Sequence, residues 1–204
     1  MKPLTLPSGW KLFTALAGLT VFMTAVVLLS YPPGADGLRS AIRATARSSF
    51  ALFLLAFLAS AMVTLLPGNG SRWLLRERRY VGLAFAFSHT VHGLLIYRYA
   101  QQFPELFWAG RTVTSSLPGS IGYVFLLLLT LTSFKAPMRL LGGRTWKTLH
   151  STGMWVLAGV FCLSFYKRIP MGGGYSLAFA LMFSAIALKL TAKLAPRRAA
   201  DALS

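Results

Sequence analysis

The chain alternates between long apolar stretches and short polar breaks marked by glycine or proline. Six apolar runs stand out, at residues 11–31, 46–67, 80–100, 117–134, 146–166 and 172–194, each close to the ~20 residues a helix needs to cross ~30 Å of hydrocarbon. None shows the two-residue alternation of a barrel strand. Backbone groups in hydrocarbon have no water to bond, so helices are the elements these runs predict. The breaks carry Pro32 and Pro33, Pro67 with Gly68 and Gly70, Pro104, Pro118, Gly142 with Gly143, and Pro170 with Gly172 to Gly174, residue types that end helices and make turns. Trp10, Tyr31, Trp73, Tyr80, Tyr97, Trp108, Trp146 and Tyr166 fall near run ends, where amphipathic rings favour the membrane interface. The expected fold is all-α, a polytopic membrane bundle of six transmembrane helices forming a single domain over residues 1–204.

Composition strengthens this picture. Of the 204 residues 55% are hydrophobic and 12% charged, more apolar surface than one soluble core of this size takes up, so the surplus is expected to face membrane lipid. The 21 Lys and Arg stand against four acids, Asp36, Glu77, Glu105 and Asp201, for a net charge of +17. These charges lie in short clusters between the runs, which argues against nucleic acid and for loops against anionic lipid. Fourteen of them (Lys2, Lys11, Arg72, Arg76, Arg78, Arg79, Lys135, Arg139, Arg144, Lys147, Lys189, Lys193, Arg197, Arg198) fall on one side and seven on the other. The excess marks the first side as cytoplasmic, with both termini there and the third and fifth spans parallel. Ser30-Tyr-Pro-Pro33 follows the first run in place of a small-residue cleavage site, so that run is expected to be a retained span. The residues after the last run are expected to leave no room for a flavin or nicotinamide domain. Cys162, the one cysteine, lies in an apolar run and reads as a small packing residue.

No acid lies within the six runs, and no Lys or Arg is expected in the middle of one, which disfavours an ion-coupled pump. The loops are too short and acid-poor for a phosphate loop, a carboxylate pair or a Ser-His-Asp set. Three histidines remain. His89 and His92 lie in the third run, within Phe85-Ala-Phe-Ser-His-Thr-Val-His-Gly93, and His150 lies early in the fifth, within Trp146-Lys-Thr-Leu-His-Ser151. Imidazole is costly to place in a membrane, and the neutral ring is a common axial ligand of haem iron. His89 and His92 share a helix face, and two parallel helices each offering an imidazole are what a haem held edge-on requires. Two other readings stay open from the residues alone. The rings can be structural, bonded to Ser88, Thr90, Thr148 or Ser151, or the His89 and His92 pair can carry a metal ion, with an incomplete shell. At 1.5 Å per residue His92 lies about 18 Å into the third run and His150 about 6 Å into the fifth, which favours His89 on depth.

Several of these residues form a larger pattern. Arg78-Arg79-Tyr-Val-Gly-Leu83 opens the third run, His92 follows Arg79 by 13 residues, Leu131-Thr-Ser133 closes the fourth, and Arg139 precedes Trp146-Lys-Thr-Leu-His150. The pattern resembles the ferric reductase-like transmembrane domain superfamily, and within it the haem-binding membrane subunits of periplasmic methionine sulfoxide reductase systems. The likeness covers most of the chain and is motif-grade from Arg78 to about Trp155. It implies a cytochrome b-like subunit of the bacterial inner membrane, not a complete enzyme, that passes electrons through b-type haem to a periplasmic oxidoreductase. By position His92 and His150 are the implied iron ligands, with His89 a replacement ligand or a packing residue. Arg78, Arg79 and Arg144, with Lys147, are implied partners of the haem propionates, because guanidinium pairs well with carboxylate. Leu163 stands where the family commonly has a second fifth-span histidine, and Met154 where it has an aromatic, which implies either one haem in place of two or a relative that has lost the cofactor. The implied donor is a cytoplasmic flavin reductase or quinol, the flavin or quinone coming from a partner or the membrane. The alternative is a haem-free structural or transport protein with hydrogen-bonded histidines.

Overall fold

The computed structural model describes residues 6–109 and 111–194. Lys2, Arg197 and Arg198, three of the charges assigned to the cytoplasmic side, lie outside the described residues. In chain order the helices are α1 (Trp10–Leu29), α2 (Ala35–Leu65), α3 (Asn69–Gln102), α4 (Pro104–Trp108), α5 (Val113–Leu131), α6 (Lys135–Leu141), α7 (Gly143–Tyr166) and α8 (Tyr175–Leu194), with a 3₁₀ turn at Ile169–Met171. Six of them, α1, α2, α3, α5, α7 and α8, are long and apolar enough to cross a membrane, and each coincides with one expected run. No strand occurs among the described residues. The chain is therefore a multi-pass helical membrane protein.

The helices exceed the apolar runs where the sequence turns polar without turning away from helix. α2 begins at Ala35, well before the run that starts near residue 46. Ala, Arg and Leu in this stretch are good helix formers, and Asp36 in the first turn sits at the positive end of the helix dipole. α3 begins at Asn69 and carries Arg72, Arg76, Arg78 and Arg79 on helical backbone. Hydropathy marks where lipid is tolerated, and the backbone hydrogen-bond ladder runs on past that limit. The short α4 and α6 were not expected, being too brief for a periodic pattern. Pro118, expected in a break, lies inside α5 near its start, where it removes one ladder bond.

Glycine decides two of the turns. Gly142, joining α6 to α7, has φ 73 and ψ 157, a region essentially reserved for glycine. Gly142→Ala is expected to lower stability by about 1–3 kcal/mol, measured as a drop in the thermal unfolding midpoint in detergent. Gly172, Gly173 and Gly174 all have positive φ (68, 64 and 85) and reverse the chain ahead of α8.

The chain divides into two compact units, Met1–Phe53 with Arg79–Ser120, and Leu54–Arg78 with Ile121–Ser204. In the first unit α2 and α3 pair antiparallel. Phe53 meets Phe85 with ring centroids 5.3 Å apart, Ser48 and Ser88 share a hydroxyl hydrogen bond of 3.0 Å, and Arg39 Nε donates to Tyr99 Oη at 2.7 Å. Leu38, Ala41, Leu95 and Tyr99 form a buried cluster against which Val27 and Leu28 of α1 pack. Lipid is as apolar as leucine, so close packing and bonds between helices hold such a pair together. In the second unit small residues let helices approach. A Cβ on Gly153 of α7 would lie 2.9 Å from Leu129 Cδ2 of α5, and one on Gly122 of α5 3.4 Å from Val160 Cγ1 of α7. α8 packs on α7 and buries Met182 and Ala185.

Candidate functional site

The three imidazoles are all hydrogen-bonded, and their partners determine which ring nitrogen keeps a lone pair. In the first unit His92 Nδ1 lies 3.0 Å from the Ile42 carbonyl oxygen and 3.3 Å from Thr45 Oγ1. A carbonyl oxygen can only accept. Thr45 spends its own hydroxyl hydrogen on Ala41 O at 2.8 Å, so it too accepts from the ring. His92 therefore carries its proton on Nδ1 and its lone pair on Nε2. His89 follows the same pattern one turn earlier: Nδ1 lies 3.1 Å from Ser49 Oγ, whose hydrogen goes to Ala46 O at 3.0 Å. The two rings are half-buried, with centroids 5.2 Å apart and planes inclined by 33°, and Phe85 flanks His89 at 5.6 Å. Sequence neighbours are engaged elsewhere, Ser88 with Ser48 and Thr90 with Ala86 O at 2.8 Å.

His150, in the second unit, is held the other way round. Its Nε2 lies 2.9 Å from Thr132 Oγ1, and Thr132 donates its hydroxyl hydrogen to Leu128 O at 2.6 Å, so His150 Nε2–H is the donor. Trp146, one turn before it, stacks on the ring with centroids 4.4 Å apart and donates its indole N–H to Thr132 O at 2.8 Å. Thr132 thus receives both residues of the Trp146 and His150 pair. The Leu131-Thr-Ser133 motif carried this signal in the sequence, though not its purpose.

The arginines separate by unit. Arg78, half-buried in the second unit, lies within electrostatic reach of His150 and of Lys189. Arg79, in the first unit, holds its guanidinium 5.6 Å from the Tyr80 ring centroid. Arg144 is exposed in the first turn of α7. Two lysines lie toward the end of the last span, away from its middle as expected. Lys189 lies within α8, where its ammonium donates to the Phe57 carbonyl oxygen and stands 4.3 Å from the Phe57 ring centroid. Lys193, a turn later, sits 5.1 Å from the Trp155 centroid, and Phe57 and Trp155 meet edge to face at 5.3 Å. Aromatic faces and, for Lys189, a carbonyl give these ammonium groups partners within the protein. Both lysines belong to the fourteen charges assigned to the cytoplasmic side. Leu163 is 39% exposed and offers no ligand.

The fold and the site define a polytopic helical membrane protein whose spans carry three hydrogen-bonded imidazoles, His89, His92 and His150. Comparison with known proteins narrows that class. Residues 45–161 match the ferric reductase like transmembrane component family, and the chain belongs to it. The matched stretch contains His89, His92, His150, Arg78, Arg79 and Arg144, and leaves α1 and α8 outside. A curated relative, the protein-methionine-sulfoxide reductase heme-binding subunit MsrQ of Azospira oryzae, is 32% identical over 120 residues, 56% of this chain and 51% of its own length. The chain thus spans about half the length of that relative. No solved structure matches.

Proposed function

We propose that the chain, read as one ferric reductase-like transmembrane domain, is a cytochrome b-like electron-transfer subunit of the bacterial inner membrane with both termini in the cytoplasm. The observation that carries this reading is the His92 ring. In a span of a ferric reductase-like chain, its Nδ1–H is bonded to a main-chain carbonyl, the arrangement that fixes and strengthens an imidazole as a metal ligand through Nε2. His92 and His150 are the proposed iron ligands, with His89 the alternative on α3. Arg78, Arg79 and Arg144 are the proposed propionate partners. Bound b-type haem supplies a one-electron carrier inside the membrane.

His89 and His92 fit that group in the tautomers they hold. His150 fits when its ring exchanges the Thr132 hydroxyl for iron, because Thr132 now takes the Nε2 proton. The relative is named as the heme-binding subunit of a protein-methionine-sulfoxide reductase, which supports such a reductase as partner; the proposed acceptor is a reductase of this kind in the periplasm. The donor is a cytoplasmic flavin reductase or membrane quinol, either of which brings its own flavin or quinone.

A second reading rests on that same Thr132 bond. A haem-free membrane protein would use all three imidazoles as hydrogen-bonding residues, as His150 is used here. A reduced-minus-oxidised absorption spectrum of the purified protein separates the two. A sharp b-type α-band is the expected result, and its absence after expression with ample haem would establish the haem-free reading.

A further inference from the structure

The α2 face opposite His89 and His92 is polar in step with them. Going down α2 and up α3, Ser49 meets His89, Ser48 meets Ser88, and Thr45 with the Ile42 carbonyl meets His92. Apolar pairs bracket this stretch, Phe53 with Phe85 on one side and Ala41 with Leu95 and Tyr99 on the other. Thr45 and Ser49 are wholly buried, at 0% exposure, so a hydroxyl there serves the imidazoles and not solvent. Each hydroxyl also sends its hydrogen back to its own helix, to Ala41 O and Ala46 O. That commitment leaves the oxygen only the accepting role toward the ring.

We propose that Thr45 and Ser49 are positioning residues, each dedicated to one imidazole: Thr45, with the Ile42 carbonyl, aims His92, and Ser49 aims His89. The inference rests on the haem reading above and extends it to two α2 residues outside the motifs. Its physical basis is the outer-shell effect. An acceptor on Nδ1–H holds the ring plane and makes Nε2 more basic, which stabilises the ferric state of a bound iron. The two hydroxyls serve different rings, so they also report which ring is the ligand without deleting either.

The test uses the purified full chain and three variants, Thr45→Val, Thr45→Ser and Ser49→Ala. The readouts are haem per protein, the low-spin electron paramagnetic resonance signal, the midpoint potential, and the rate of ferric haem loss to apomyoglobin. With His92 on iron, Thr45→Val is expected to retain haem, raise the potential, shift the resonance and lose ferric haem about tenfold faster, the lower end of outer-shell effects. Thr45→Ser is expected to restore wild-type values, and Ser49→Ala to match wild type throughout. A shift in Ser49→Ala with none in Thr45→Val would transfer the ligand role to His89 and overturn the assignment to His92. Wild-type behaviour in both would overturn the positioning proposal while leaving the haem reading intact. Wild-type protein without a pigment would remove the haem reading itself. Should Thr45→Val fail to accumulate, Thr45→Ala removes the same hydroxyl and is read the same way.

Discussion

Replacing His92 by alanine is expected to yield a protein that still inserts and folds but has lost its b-type absorption almost completely. The imidazole is half-buried, and its hydrogen bonds go to one carbonyl and one hydroxyl of α2. Thr45 retains bonds to Ala41 O and Ile42 O without it, so truncation leaves no buried hydroxyl stranded. The α2 and α3 pairing keeps its Phe53 to Phe85 and Arg39 to Tyr99 contacts. Loss of haem with an unchanged size-exclusion profile and unchanged far-ultraviolet circular dichroism is therefore the predicted signature, and His150→Ala is expected to give the same. His89→Ala is expected to keep the pigment. Full haem in the His150→Ala protein would refute the ligand assignment, whereas loss of helix in the His92→Ala protein would recast that ring as structural.

The largest expected loss of stability without a change in chemistry comes from Phe53→Ala. Phe53 is completely buried and stacks obliquely on Phe85, itself 4% exposed. In a water-soluble core this truncation costs about 3–5 kcal/mol, part of it transfer of the ring from water and part the cavity left behind. In a bilayer the transfer part shrinks because lipid is already apolar, while the cavity part remains. An effect toward the lower end of that range is expected, measured by sodium dodecyl sulfate titration of the protein in mixed micelles. Phe53→Leu fills most of the space and is expected to cost under half as much. Equal losses for the two would mean that the site collapses around either residue and that packing there is loose.

The transmembrane skeleton could be read from the sequence because lipid imposes a single demand, about 20 apolar residues in a row, and α1, α5, α7 and α8 follow it closely. α2 and α3 show where that reading stops. Arg39 and Arg43 lie ahead of the apolar run and yet within α2, since a helix satisfies its own backbone whatever surrounds it. The imidazoles were visible as costly residues in apolar surroundings. Their partners were not, because Thr45 and Ser49 are 47 and 40 residues away from His92 and His89, and only the register of α2 against α3 brings them together. Local guesses fixed on Ser88 and Thr90, which as immediate neighbours on a helix point away from His89. The partners of Lys189 were hidden for the same reason: the Phe57 carbonyl and ring that receive it lie 132 residues earlier in the chain.

The helices also differ in length, and a bilayer would feel the difference. At 1.5 Å per residue, α1 and α8, with 20 residues each, are rods of about 30 Å that just match the hydrocarbon slab, whereas α3, with 34 residues, is about 50 Å long. A thinner or thicker host membrane leaves α3 with rod to spare at its ends. The short rods have no such reserve and must lean, or draw the surrounding lipid toward them. Membrane thickness therefore acts on this protein first through its shortest spans, α5, with 19 residues, together with α1 and α8.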